Sequence, residues 1–454
     1  MKKLSFLLLV FSVGVALNAR ADQTFPIATT SAIEFTFGAA FDGSNYLVGI
    51  QEGSFQQGSI TAQLVSQSGA LVGSRISTGE FGFMPLLAFD GTNYFMVWTG
   101  SGFRGQFVSK SGALVRSVLT INAVTPSATT ATSVAYGGAK YLTCWSDGST
   151  VTGQIVTPGG TLFGPSFTIS GAIQRARENA VAFDGTNFLV VFNGSGDYKT
   201  NIYGQFVSPA GGLVGSTVLI DSSADPKDNP LAVAFDGTNY LVTFNDEVGG
   251  LEGAFHIFGR LVNTSGTVLT NQITIANDPG AQRFPFSAFD GSNYLVAWND
   301  GYGTTNSNLI LRFFNRTGQP LGSEFSPFTA QGTNQPFAGA PLFDGAKYLV
   351  VGSLVSSLTL APGGFNAASG DVYGTFIPKS TAAPQLSVAS PFANGQFSLL
   401  LTGTPGINYA IQTSSNLALT NWTALVTNSP TNGTFSFTDI YATNASRFYR
   451  ALKQ

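Results

Sequence analysis

Ala40-Phe41-Asp42-Gly43-Ser44-Asn45-Tyr46-Leu47-Val48 decides how this chain is read, because it returns. Ala88-Phe89-Asp90-Gly91-Thr92-Asn93-Tyr94 is the second copy, and five more begin at Ala135, Ala182, Ala234, Ala288 and Leu342. The aromatic in second place is Phe41, Phe89, Tyr136, Phe183, Phe235, Phe289 and Phe343 in turn, at intervals of 47 to 54 residues. Each copy has the same logic. Ala232-Val233-Ala234-Phe235 is an apolar strand, and Asp236-Gly237-Thr238-Asn239 is a turn. Gly and Asn there accept positive φ, and the Asp carboxylate can accept nearby backbone N–H groups. Tyr240-Leu241-Val242-Thr243-Phe244 is a second strand. A second phrase supplies the third strand, Ile202-Tyr203-Gly204-Gln205-Phe206-Val207-Ser208 in one repeat and Ile257-Phe258-Gly259-Arg260-Leu261-Val262 in the next. A Gly-containing turn then leads to a short fourth strand such as Gln272-Ile273-Thr274-Ile275.

Seven four-stranded repeats of this period predict an all-β fold, a seven-bladed β-propeller over residues 22–380. The phrase decays in the third copy, Gly137-Gly138-Ala139-Lys140, and in the seventh, Asp344-Gly345-Ala346-Lys347. The two ends of the array are complementary. The seventh repeat stops after its third strand, Asp371-Val372-Tyr373-Gly374-Thr375-Phe376-Ile377, and Gln23-Thr24-Phe25-Pro26-Ile27-Ala28 reads as a fourth strand with no repeat of its own. The economical expectation is that the N-terminal strand completes the seventh blade, which removes two sheet edges open to aggregation.

Beyond the repeats, residues 381–384 with Ser380 form a short linker, and 385–454 alternate as strands with turns about every ten residues. Phe397-Ser398-Leu399-Leu400-Leu401, Tyr409-Ala410-Ile411-Gln412-Thr413, Trp422-Thr423-Ala424-Leu425-Val426 and Thr434-Phe435-Ser436-Phe437-Thr438 are examples. The pattern predicts a small β-sandwich, immunoglobulin- or fibronectin-like in architecture.

At the other end, Lys2 and Lys3, the apolar stretch Leu4 to Leu17 and Ala19-Arg20-Ala21 read as a secretory signal over residues 1–21, with the product starting at Asp22. No cysteine follows the cleavage site, and no later segment is apolar enough to span a bilayer. The expected product is exported, periplasmic or extracellular, and not membrane-embedded.

Composition agrees with a strand-and-turn chain. Charged residues are 10% of it, against roughly 25% in an average soluble protein, while Gly takes 54 positions and Phe 39. The net charge is −3 and no Lys/Arg cluster lies outside the first residues, which excludes a phosphate-neutralising nucleic-acid surface. The single cysteine, Cys144, permits no internal disulfide or thiolate cluster and reads as a buried, inert thiol. The single histidine, His256, excludes a multi-His zinc site; it is placed just before a third strand. No cofactor and no metal is expected.

The repeats resemble those of secreted bacterial propellers with an Asp-Gly-Thr-Asn-Tyr-Leu-Val-x-Trp phrase. The tail is similar to C-terminal domains of exported bacterial proteins that carry Tyr-x-Ile-Gln-x-Ser, Asn-Trp, Phe-x-Asp and Arg-Phe-Tyr-Arg, here Tyr409, Ile411, Gln412, Ser414, Asn421, Trp422, Phe437, Asp439 and Arg447 to Arg450. The resemblance implies an accessory β-module and assigns no catalysis.

Several features could carry chemistry. The repeated Asp42, Asp90, Asp184, Asp236, Asp290 and Asp344 suggest calcium loops, but the Asp-x-Asp-x-Asp spacing is absent and turn capping explains each copy. A complete sialidase Asp-box is missing, and no Gly-x-Ser-x-Gly elbow accompanies His256. Trp98, Trp145 and Trp298 end equivalent strands and read as packing between blades. The scarce charges gather in the loops before first strands and after second strands, which a propeller places on one face beside its channel. The candidate rim is Glu34, Glu52, Glu80, Asp147, Arg177, Glu178, Asp228, Asp246, Arg283 and Asp300, with Arg175, Asp225, Lys227 and Glu247 nearby. A rim of this kind suits a glycan or a cell-surface protein. The expectation is a non-enzymatic binding or scaffold protein. The alternatives are a polysaccharide-active hydrolase or lyase using the acidic rim, or a purely structural surface protein.

Overall fold

The computed structural model describes residues 24–453 other than 55–56, 125–131, 196–199, 223–230, 248–254, 302–306, 329–333, 357–358, 362–363, 367–368, 380–384, 394–395, 404–407, 416–421, 429–433 and 441–446. The predicted signal segment, residues 1–21, and the linker 381–384 lie outside the described residues. The described elements are all strands. The chain divides between Lys379 and Ser380 into two compact units.

In the larger unit each repeat is an antiparallel meander. The third repeat is Ser133–Tyr136, Tyr141–Ser146, Val151–Val156 and Leu162–Thr168; the fourth is Asn179–Phe183, Phe188–Ser195, Thr200–Val207 and Leu213–Asp221. The fifth is Leu231–Phe235, Asn239–Glu247, Phe255–Asn263 and Ile273–Ala276, and the sixth is Arg283–Phe289, Tyr294–Asp300, Asn308–Phe314 and Pro320–Phe325. His256 therefore lies inside a third strand, opposite Asp246, and not in the loop before it.

The first two repeats join through one long strand, Leu71–Phe89, which is the fourth strand of one and the first of the next. The repeat pattern leads one to expect a loop there. Glycine makes the continuous passage possible: Gly82 pairs with Gly58 on one side and Gly100 on the other, and a Cβ on Gly82 would lie 2.3 Å from the Trp98 ring. The last repeat has Asn334–Phe343, Lys347–Ser356 and Ser369–Pro378, and its outer neighbour is Phe25–Ala28 from the beginning of the chain. Phe25 lies opposite Gly374 and Pro26 opposite Tyr373, so the orphan N-terminal strand does pair where the sequence left a vacancy.

The recurring phrase has two jobs. Within its own turn, one carboxylate oxygen of each Asp accepts the backbone N–H groups two and three residues on, at 2.6 to 2.8 Å for Asp42, Asp90, Asp184, Asp236, Asp290 and Asp344. The carboxylate also faces the tyrosine that opens the second strand of the following repeat, whose hydroxyl donates to the carbonyl of the Asn in the same turn at four seams: Tyr94 to Asn45, Tyr141 to Asn93, Tyr294 to Asn239 and Tyr348 to Asn293, at 2.8 to 3.4 Å. Tyr94 faces Asp42, Tyr141 faces Asp90, Tyr240 faces Asp184, Tyr294 faces Asp236 and Tyr348 faces Asp290; burial first, and then the carboxylate, pushes each phenol well above its ordinary range. Tyr46 of the first repeat donates to Asp344 of the last.

The seam between the third and fourth repeats breaks the pattern on both sides at once. The third turn has Gly137 in place of Asp, and the fourth repeat has Phe188 in place of Tyr. A Cβ on Gly137 would lie 2.3 Å from the Phe188 ring, so the ring fills the space that side chain and hydroxyl occupy elsewhere. In every repeat the aromatic before the turn packs on the one after it, with centroids 4.7 to 5.0 Å apart.

The Gln of the third strand is equally structural. The amide groups of the buried Gln63, Gln106, Gln154 and Gln205 each donate to carbonyls on the fourth strand, where the ladder slips register. Arg260 and Arg312 do the same in the next two repeats, reaching Thr270 O and Gly322 O.

The smaller unit has two three-stranded sheets, one of Gln385–Ala393, Gln396–Thr402 and Thr434–Asp439, the other of Thr423–Asn428, Tyr409–Ser414 and Phe448–Lys453. Leu399 and Leu401 from the first share a core with Tyr409, Ile411 and Tyr449 from the second. The tail motif ties these sheets together. Tyr449 donates to Asp439 at 2.9 Å and Arg447 pairs with the same carboxylate at 2.7 Å, while Arg450 donates to Gln412 and lies over the Trp422 ring. Asn421 lies outside the described residues.

The seams give a direct prediction. Tyr94→Phe, which removes the hydroxyl's hydrogen bond to Asn45 O across the seam, should lower unfolding free energy by about 0.5–1.5 kcal/mol, the usual net worth of a neutral hydrogen bond. Phe188→Tyr, which faces no carboxylate, should bring no gain. Urea unfolding of the two variants beside the parent protein checks both.

Candidate functional site

Nine of the ten rim residues are described. The structure brings Glu34 and Glu52 together on adjacent strands of the first repeat, in register opposite each other. Arg75, from the fourth strand, pairs closely with Glu52 and reaches Glu34 at 3.9 Å. Thr61 donates to Glu52 at 3.1 Å, and Thr30 donates to Glu34 from its hydroxyl at 2.8 Å. The Glu34 side chain is 0% exposed. Burial raises its pKa; the Thr30 hydrogen bonds and Arg75 oppose that rise, Glu52 adds to it, and the net direction is upward. Thr30 belongs to the segment joining Phe25–Ala28 to the first repeat, so this group fastens the N-terminal strand's exit. Sequence reasoning missed Arg75, which stands in a fourth strand, away from the loops it searched.

The remaining candidates serve their own neighbourhoods. Asp147 is exposed; its slight burial acts to raise its pKa, but N–H donation from Thr150 and Ser149 outweighs this and holds the carboxyl below its ordinary range. Asp300 accepts from Gln282 at 3.0 Å, and Asp246 accepts from Gln272 at 3.5 Å. Arg283 lies 3.6 Å over the Phe255 ring, a cation–π contact. Glu178 is buried and its backbone N–H donates to Asn193. Arg177 is exposed, and Glu80, half-buried, donates its N–H to Thr78. Asp228, with Asp225 and Lys227, lies outside the described residues.

The other chemical candidates resolve simply. The repeated Asp residues point one oxygen into their own turns and face the next repeat with the other. Among the described residues no group of three His, Cys, Asp or Glu side chains is placed to hold a metal ion. Cys144 is fully buried, and burial pushes its thiol up to about 12, so it stays protonated. Trp98 and Trp298 are buried between sheets.

No family model matches the chain, and no curated protein does. Solved structures do resemble it. The β-propeller domain of the trilobed protease from Pyrococcus furiosus is 11% identical over 70% of this chain and 91% of that one, with a TM-score of 0.43. An α-L-arabinofuranosidase from Lactobacillus brevis is 12% identical over 55% of this chain and 91% of that one, with a TM-score of 0.36. A subtype N10 neuraminidase-like protein of A/little yellow-shouldered bat/Guatemala/060/2010 is 9% identical over 65% of this chain and 92% of that one, with a TM-score of 0.43. At this distance the likeness transfers no activity. The chain's own successive four-stranded antiparallel meanders define its class: an all-β protein of β-propeller character.

The raised Glu34 carboxyl yields a pH prediction. A carboxyl whose pKa is higher in the folded than in the unfolded chain takes up a proton on folding, so its contribution grows as pH falls from neutral toward the folded pKa. Thermal midpoints at pH 7 and pH 5 should therefore differ less between the two pH values for Glu34→Asn or Glu34→Gln if the parent gains on acidification; the variants lack that gain.

Proposed function

We propose that this is an exported, non-enzymatic binding or scaffold protein. Its body is a closed seven-bladed propeller, its tail an immunoglobulin- or fibronectin-like β-sandwich, and its binding face the one carrying the loops before first and after second strands. A carbohydrate or another cell-surface component is the partner class. Closure is supported by the Tyr46–Asp344 hydrogen bond and by the core that Tyr46, Val48 and Ile50 of the first repeat share with Leu349, Val351 and Val372 of the last. Export rests on the N-terminal sequence, and sequencing the N-terminus of the released protein should return Asp22.

The observation that carries the non-enzymatic reading is the state of the rim carboxylates. A glycosidase needs two carboxyl groups that touch the scissile bond, one as acid and one as base or nucleophile. Glu34 has the raised pKa of an acid, but its side chain is 0% exposed and held by Thr30 and Arg75. A proton donor sealed from solvent cannot reach a glycosidic oxygen. Asp147 is tied into its turn, and Asp300 to Gln282. The adjacency of Glu34 and Glu52 is what favours the second reading, a polysaccharide-active hydrolase or lyase.

A glycan array combined with a reducing-sugar release assay on the full chain separates the readings. The proposal expects binding without turnover. Sugar release that is lost in Glu52→Gln, Asp246→Asn or Asp300→Asn overturns it. A protein that binds nothing on the array but is lost from its normal location after deletion of residues 381–454 is the structural protein.

A further inference from the structure

Most arginines described in the propeller are in use. Arg75 and Arg260 pair with buried or half-buried carboxylates, Arg104 and Arg312 bond side chains on their own sheets, and Arg283 stacks on Phe255. Arg175 and Arg177 differ. Both are exposed, and neither guanidinium has an ion-pair or hydrogen-bond partner among the described residues. In a chain that is only 10% charged, two idle cations two residues apart in one loop call for a reason.

The loop that carries them is fixed at three places. Upstream, Gln174 bridges to Ser195 of the fourth repeat's second strand, whose N–H donates to Gln174 O at 2.9 Å. Downstream, Arg177 and Glu178 donate their N–H groups to Asn193 Oδ1 at 3.3 and 2.8 Å. Between them the chain bulges toward the third repeat. Ala176 is 0% exposed; its N–H donates to Ser149 O at 3.0 Å, and its carbonyl accepts from Ser146 Oγ at 2.7 Å. Arg175 takes a left-handed φ of 52°, uncommon for a side chain of its size. Anchoring Ala176 on both its polar groups holds an arginine out on each side of it.

We infer that Arg175 and Arg177 form an anion clamp at the rim between the third and fourth repeats, and that the ligand is an acidic polysaccharide whose carboxylate or sulfate groups they bind. The inference rests on the carbohydrate reading above and narrows it. Guanidinium groups match planar oxyanions through paired N–H donors, and a backbone fixed beforehand reduces the ordering cost of binding. The protein's net charge of −3 offers no general attraction to polyanions, so recognition has to be local.

The test is calorimetric titration of the full chain with oligogalacturonate, dextran sulfate and unsubstituted dextran, repeated for Arg175→Gln, Arg177→Gln and the double variant. Arg104→Gln, on the second repeat, serves as control. The Arg175 and Arg177 side chains are exposed, so the thermal midpoints of their variants should not move. Binding of either anionic glycan, weakened about tenfold by each substitution, abolished in the double variant and unchanged in Arg104→Gln, is the expected result. Equal binding of dextran, or anionic binding indifferent to the double variant, overturns the clamp and leaves the carbohydrate reading standing. If these three probes and the wider glycan array all fail to bind, both fall.

Discussion

The larger unit depends on a carboxylate used twice. In six of seven repeats an aspartate caps its own turn with one oxygen and faces a tyrosine of the neighbouring repeat, with a direct hydrogen bond between Tyr46 and Asp344. A buried carboxylate is costly unless its lone pairs find donors. Here the carboxylate's donors are local backbone, while the neighbour's tyrosine hydroxyl donates to the carbonyl of the Asn in the same turn, as Tyr94 does to Asn45 O at 2.8 Å and Tyr348 to Asn293 O at 3.3 Å, so the turn has its full set of contacts only when the adjacent sheet is in place. Local folding and assembly of neighbouring sheets thereby become one condition, on top of the apolar faces each sheet buries against the next.

Much of this was legible in the sequence. The strands, the turns and the pairing of Phe25–Ala28 with Ser369–Pro378 follow from periodicity and from one missing fourth strand. The role of the Asp was half read: capping was expected, while its contact with the next repeat was not, because that contact spans about fifty residues of sequence and shows no local pattern. A signal did exist. Gly137 and Phe188 change together at the single seam that lacks the pair. The continuous strand through Gly82 was also hidden, since glycine reads as a turn until its close approach to Trp98 is known.

The candidate site was less legible than the fold. Sequence could place charges in loops of one face, but not say which were already engaged. Glu34 and Glu52 proved to hold Arg75 and the N-terminal segment. Arg177 was among the candidates and Arg175 beside them, and what sets these two apart, a pinned Ala176 between idle guanidinium groups, is a matter of hydrogen bonding that residue types do not encode. Among the described residues, Glu34, Glu52 and Arg75 thus serve the molecule's own construction, and Arg175 and Arg177 remain exposed to solvent.

A double-mutant cycle on Tyr46→Phe and Asp344→Asn measures most directly whether the first and last repeats meet, because Tyr46 of one donates to Asp344 of the other. A coupling energy on the order of 1 kcal/mol or more is the predicted result. No coupling between the two positions would mean that the ends of the array do not meet.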